Sequence, residues 1–124
     1  VENEPRLLSM TAEWLRGLGY TVQACASADE AAALLASRDF DLLFTDAVMP
    51  GALDGMDLVV RARELDPAQP VVLTSGFSAH HAEQRRDMAL GYLQKPYSKS
   101  ELAQTVRRGL DHGPHHPRAT EARP

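Results

Sequence analysis

The sequence predicts an α/β fold in which helices cover both faces of a parallel sheet, and three observations point there. Helix-type and strand-type periodicities alternate along the chain with short connections between them. "FDLLFTD", Phe40 to Asp46, is a nearly continuous apolar run, as a strand buried on both faces requires, and "PVVLTS" that follows is rich in β-branched residues. Ser-x-x-Glu capping boxes, Ser27 with Glu30 and Ser98 with Glu101, mark where two of the helices begin.

The elements can be justified in order. Pro5 suits the first turn of a helix whose apolar positions Leu8, Ala12 and Leu15 run to a stop near Gly17 and Gly19. "TVQAC", Thr21 to Cys25, is expected as a strand. The Ala- and Leu-rich stretch after Ser27 forms a helix ending near Ser37. After "FDLLFTD" comes a glycine-containing loop, then a helix from Asp57 to Leu65 closed by Asp66 and Pro67. "PVVLTS" is the next strand, residues 79–89 a polar and weakly patterned helix, and "GYLQ" a short strand. A final helix runs from the Ser98 box to about Leu110. The remainder, "DHGPHHPRATEARP", has three prolines and no periodicity and is expected to be a disordered tail or linker. The expected division is therefore a domain over residues 1–110 and a tail over 111–124.

A parallel sheet of this kind opens with a buried strand, yet only Val1 precedes Glu2. The expectation is that the first strand is truncated, with upstream residues rather than another molecule completing it.

Composition narrows the function classes. At 124 residues one domain can bury roughly two thirds of its unfolded surface without disulfides or metals. Hydrophobic residues at 44% and charged residues at 24% are ordinary globular usage, which sets aside disordered and fibrous classes. A formal net charge of -4, with no basic cluster longer than a pair, argues against nucleic acid as a direct partner. The single Cys25 lies in an apolar run and is expected to be a buried small hydrophobe. With no apolar stretch of membrane-spanning length and no signal-peptide pattern at the start, a cytoplasmic protein without membrane contact is expected. His80 and His81, with His112, His115 and His116, are read as solvated rather than as a transition-metal site, because neighbours on a helix point apart. Trp14 is either core or an exposed anchor for a helical partner.

The chemistry gathers at strand ends. In a parallel α/β sheet the C-terminal ends of the strands share one edge, where ligands bind. Glu2 and Asn3, Asp46, Ser75 and Lys95 all fall at such ends. Carboxylates, a hydroxyl and an ammonium on one edge make a place for a hard cation together with a phosphoryl group. Met49, Pro50, Gly51 and Gly55 let the backbone leave the strand and turn after Asp46.

"ENEP", "FTDAVMPGALDG", "VVLTSG" and "LQKPY", in this order and approximate spacing, resemble the receiver domain of two-component response regulators from Val1 to Leu110. The resemblance implies a flavodoxin-like, doubly wound, five-stranded parallel sheet of order 2-1-3-4-5. It implies that Asp46 is the phosphoacceptor for a histidine kinase or histidine phosphotransfer domain, so that the domain catalyses its own phosphotransfer and autodephosphorylation. It also implies Mg2+ held by Glu2, Asn3, Asp46 and the Val48 carbonyl, Lys95 and Ser75 on the phosphoryl oxygens, and a cis peptide before Pro96. Ser75 and Tyr92 would form the conformational switch, and Val48 and Phe77 would flank the hydrolytic water and make dephosphorylation slow. Two departures stand out. Asn3 replaces the usual aspartate, which removes a charge from the metal site. The Asp46–Gly55 loop is one residue longer than the commonest form, as in many receivers attached to hybrid histidine kinases. The competing expectation is a pseudo-receiver acting as an interaction module without phosphorylation, and exchange of elements within a homodimer is a further possibility.

Overall fold

Local signals set the helices. In a computed structural model that describes residues 1–76 and 91–112, helix α1 spans Pro5–Gly17 with Pro5 in its first turn. The Glu4 side chain caps it by accepting from the Arg6 and Leu7 amides, and Thr11, Ala12 and Leu15 form its buried stripe. Helix α2 spans Ala28–Ser37, capped by Ser27, whose Oγ accepts from the Glu30 amide at 3.1 Å. Helix α3 spans Gly55–Leu65 and begins two residues earlier than expected. The cause is a capping box of Asp54 and Asp57, each side chain accepting the other's amide. Helix α4, Lys99–His112, opens on the expected reciprocal pair of Ser98 and Glu101.

The strands are β1 Leu43–Asp46, β2 Val71–Ser75 and β3 Gly91–Gln94, pairing in parallel in the order β1-β2-β3. Among the described residues three regular strands stand, where a five-stranded sheet with a truncated first strand was expected. Residues 21–25 form no strand, and β1 lacks Phe40, Asp41 and Leu42. The reason is the neighbouring lane, which among the described residues is held by Val1 and Glu2. The Val1 amine donates to the Phe44 carbonyl at 2.6 Å, Asp46 N–H to the Val1 carbonyl at 3.0 Å, and Glu2 N–H to the Cys25 carbonyl at 3.0 Å. Those bonds set the lanes in the order 21–25, Val1–Glu2, β1, β2, β3, which is 2-1-3-4-5 by position in the chain. A ladder needs a partner along its length, and here only its end has one.

Each face of the sheet carries its own core. Leu43, Val71 and Leu73 meet Ala28 and Ala31 of α2 and Leu58, Val59 and Ala62 of α3. On the opposite face Leu93 packs with Leu15 of α1 and Leu102 and Val106 of α4. Alternation along β1 sends Leu43 to the first core and Phe44 to the second, which is what doubly wound topology demands. Trp14 is half-buried against the second core, which favours the core alternative. Cys25 is buried and free, as expected. The weakly patterned helix of 79–89, Phe77, His80, His81 and the tail from residue 113 lie outside the described residues.

Candidate functional site

The C-terminal rim of the sheet collects its polar groups through the backbone. Asp46 is the last residue of β1 and is 7% exposed, its N–H bound to Val1 and its chain continuing through Ala47 N–H, which donates to the Thr74 carbonyl at 2.8 Å. One step beyond β3, Lys95 N–H donates to the Ser75 carbonyl at 2.9 Å, so the ends of β2 and β3 are tied together. The Lys95–Pro96 peptide is cis.

Three charged side chains then converge. Lys95 Nζ lies 2.8 Å from Asp46 Oδ2 and 2.6 Å from Glu2 Oε1, with all three side chains largely out of solvent. The other Glu2 oxygen, Oε2, accepts from the Glu4 amide at 2.9 Å, which fixes the carboxylate at the head of α1. Burial alone would lower the Lys95 pKa, but hydrogen bonds to Asp46 and Glu2, reinforced by their charges, outweigh it and hold the ammonium above its ordinary value. Beside this cluster a cavity of about 270 Å³ is bounded by Asp46, Val48, Ser75 and Gly76. Val48 N–H approaches Asp46 Oδ1 at 3.5 Å.

The structure thus brings Glu2, Asp46 and Lys95 into contact and places Ser75 and Val48 on the adjoining cavity wall. Asn3 follows Glu2 on the rim and is exposed. Tyr92 lies further down β3, half-buried against the core formed with α2 and α3. Among the described residues no group of three His, Cys, Asp or Glu side chains could hold a metal. That follows from Asn3, which leaves two carboxylates on the rim. Two carboxylates supplemented by neutral oxygens still suit magnesium, which is commonly held by one or two carboxylates with water completing its octahedron. One ammonium already bridges both carboxylates, so they stand close enough to share a cation.

Sequence reasoning missed two supports of this site. A Cβ on Gly55 would fall 1.7 Å from the Asp46 carbonyl oxygen, so Gly55 serves close approach of α3 to the acceptor strand rather than a turn; the turn belongs to Gly51, at φ +114°. Only the Asp54-x-x-Asp57 spacing, which starts the helix at Gly55, could have signalled this. The second support is Tyr97, two residues beyond Lys95, whose hydroxyl shares a buried 2.7 Å hydrogen bond with Thr11 of α1. Its ring meets Phe44 edge-on at 6.1 Å. No local pattern marks that contact.

A doubly wound sheet with a lysine-bridged carboxylate pair at its C-terminal rim places the chain among CheY-like α/β domains. The chain belongs to the response regulator receiver domain family, whose model matches residues 1–107. It is 33% identical over 100 residues to the transcriptional regulatory protein ZraR of Salmonella typhimurium, covering 79% of this chain and 22% of that protein. It is 31% identical over 115 residues to the sensor kinase CckA of Brucella abortus, covering 90% of this chain and 12% of that one. Among solved structures it resembles a response regulator receiver protein from Sinorhizobium medicae, with a TM-score of 0.79 at 28% identity over 89% of this chain and 90% of that one. NtrX from Brucella abortus gives 0.82 at 26% identity, over 90% of this chain and 26% of that one. The chain therefore spans about a quarter or less of these longer relatives. Among the described residues no helix is long and apolar enough to cross a membrane.

Proposed function

We propose that this receiver domain accepts a phosphoryl group on Asp46 from the phosphohistidine of a histidine kinase or histidine phosphotransfer domain. An Asp46 carboxylate oxygen forms a bond to phosphorus as the P–N bond breaks, and the electron pair of that bond stays on the imidazole nitrogen. The observation that carries the reading is the Lys95 ammonium, 2.8 Å from Asp46 Oδ2 beside a cavity wide enough for a phosphoryl group. Attack of one anion on another is opposed by charge, and a fixed ammonium offsets the charge that develops on the phosphoryl oxygens. The Ser75 hydroxyl, on the cavity wall, is assigned to donate to one of those oxygens, and Tyr92 to follow Ser75 in the conformational response. Magnesium would be held by Glu2, Asp46, the Asn3 amide oxygen and the Val48 carbonyl, and supplies further neutralisation of the phosphoryl charge. Val48 presents an apolar side chain at the same cavity and offers no hydrogen bond to a hydrolytic water, which supports a long-lived acyl phosphate.

Relatives that include both transcriptional regulators and a sensor kinase leave two settings in proposal, a response regulator and the receiver of a hybrid kinase. The competing reading, an interaction module that is never phosphorylated, draws on the single feature Asn3. Incubation with acetyl phosphate and MgCl2 followed by intact mass separates them. Gain of one phosphoryl group, abolished in Asp46→Asn, is the expected result; an unchanged mass at millimolar magnesium favours the interaction module.

A further inference from the structure

Thr74 and Asp46 are register partners on adjoining parallel strands, and Leu93 is the partner of Thr74 on its other side. Side chains in register on parallel neighbours leave the same face of the sheet, which here is the face where Leu93 packs against α1 and α4. Lys95, two residues beyond Leu93, returns to that face, as its contact with Asp46 Oδ2 requires. The register is pinned on both sides of Thr74: Ala47 N–H donates to the Thr74 carbonyl at 2.8 Å, and Lys95 N–H to the Ser75 carbonyl at 2.9 Å.

Thr74 is 1% exposed, and among the described residues its Oγ1 is buried with no hydrogen-bond partner. A hydroxyl kept in that state costs stability, and a valine of the same shape would avoid the cost. Neighbouring strands lie about 4.8 Å apart, so a threonine hydroxyl can reach the carboxylate of its register partner by rotation about its Cα–Cβ bond. In the resting fold Asp46 Oδ2 is taken by the Lys95 ammonium. The cavity for the phosphoryl group is bounded by Asp46, Val48, Ser75 and Gly76, so Thr74 acts on that group only through Asp46.

We propose that Thr74 is a positioning residue for phosphoryl transfer, its hydroxyl donating to Asp46 Oδ2 when Lys95 leaves that oxygen for the phosphoryl group. The inference rests on the reading of Asp46 as phosphoacceptor. As Oδ1, on the Val48 side, bonds phosphorus, Oδ2 becomes the carbonyl oxygen of an acyl phosphate, still buried and deprived of its ammonium. The Thr74 proton stays on its own oxygen and replaces the lost hydrogen bond. A carbonyl oxygen has two lone pairs, so one remains for the magnesium assigned above. Because this bond is absent from the resting fold and forms only as the ammonium moves, it lowers the barrier instead of tightening the ground state. Consecutive hydroxyls of β2 thus serve the two ends of the new linkage, Ser75 the phosphoryl oxygens and Thr74 the carbonyl.

The test compares the parent with Thr74→Val and Thr74→Ser, each phosphorylated by acetyl phosphate in MgCl2. In that reaction the Asp46 oxygen bonds phosphorus as the P–O bond to acetate breaks, and acetate leaves with the electron pair. Thr74→Val is expected to have a thermal midpoint equal to or above the parent's and yet to gain its phosphoryl group about fivefold more slowly by intact mass. Thr74→Ser should recover most of the rate. With isotope-labelled aspartate, the infrared band of the acyl phosphate carbonyl should stand at higher frequency in Thr74→Val than in the parent or Thr74→Ser. Equal rates, or a carbonyl band that does not move, overturn the proposal and leave the phosphoacceptor reading intact. A lowered midpoint in Thr74→Val also overturns it, since the hydroxyl would then be bonded in the resting fold. A parent that gains no phosphoryl group overturns the reading of Asp46 and this inference with it.

Discussion

Lys95 Nζ and Asp46 Oδ2 stand 2.8 Å apart across the rim, and the same ammonium reaches Glu2 Oε1 at 2.6 Å. One ammonium thus bridges two carboxylates that come from distant parts of the chain and offsets half of their charge. Removing it leaves both without their cation. Lys95→Met is expected to destabilise the domain by about 2–3 kcal/mol, at or below the lower end of the range for a broken buried pair because the lysine keeps some solvent contact. Urea denaturation measures this. Magnesium can take over the neutralisation, so MgCl2 should raise the thermal midpoint of Lys95→Met more than that of the parent. An equal shift in both proteins would show that the carboxylates do not share the ion.

The same pair carries a pH dependence. The folded-state pKa of Lys95 is raised, so its contribution to stability is full below the unfolded value of about 10.4 and is lost only as pH rises through the higher folded value. The stability difference between parent and Lys95→Met is therefore expected to be flat from about pH 7 to pH 9 and to shrink above about pH 10.4. A difference that already falls between pH 7 and 9 would contradict the raised value.

Gly55 is predicted to be intolerant of any side chain. The added Cβ meets the Asp46 carbonyl at 1.7 Å and the Ala47 Cα at 2.9 Å, and backbone atoms cannot swing aside as a flexible side chain can. Gly55→Ala should cost about 3 kcal/mol or more by urea denaturation, the upper end for overpacking. It should also slow phosphorylation of Asp46 by acetyl phosphate in the fraction that remains folded. Gly51→Ala makes a useful contrast, because its cost comes from φ +114° in open space rather than from a collision.

Local signals made much of this fold legible. Ser27, Ser98 and Glu101 begin helices as their spacing says, because a cap involves only residues a turn apart. The rim residues were legible for a different reason: in a parallel sheet, strand ends share an edge, so Asp46 and Lys95 meet without any long-range pattern needing to be read. What failed depended on neighbours. Thr21 to Cys25 has strand-forming residues, but a strand is completed by its partner, and Val1 with Glu2 offers that stretch one hydrogen bond. The closeness of Gly55 to Asp46 and the Thr11–Tyr97 bond, across 86 positions, exist only once the layers are packed.

Asn3 sets the expected metal affinity. Beside Glu2 and Asp46 it offers an amide oxygen where an aspartate would add a third negative charge. Two unit charges at 4 Å interact by about 4 kcal/mol at an effective dielectric of 20, before desolvation and screening are subtracted. A third of that is about tenfold in a binding constant. Asn3→Asp is therefore expected to tighten magnesium about tenfold, measured by calorimetric titration. Equal affinity in the two proteins would mean that residue 3 stands outside the ion's coordination.

The Thr11–Tyr97 bond joins α1 to the segment that carries Lys95, and its 2.7 Å hydroxyl pair is buried. Burial raises the Tyr97 pKa, although the bond to Thr11 opposes the rise, so the phenol stays protonated and able to donate. Tyr97→Phe strands the Thr11 hydroxyl and should cost about 1–3 kcal/mol, and Thr11→Val should cost a similar amount by stranding the phenol. Removing both leaves nothing unsatisfied, so the double variant is expected to lose clearly less than the sum, with a coupling of about 1 kcal/mol in a double-mutant cycle. Strict additivity would show that the two hydroxyls act independently. Because Tyr97 follows Lys95 and Pro96, the single variant Tyr97→Phe should also loosen the ammonium from Asp46, read as a smaller stability loss when Lys95→Met is added to it than when Lys95→Met is made alone.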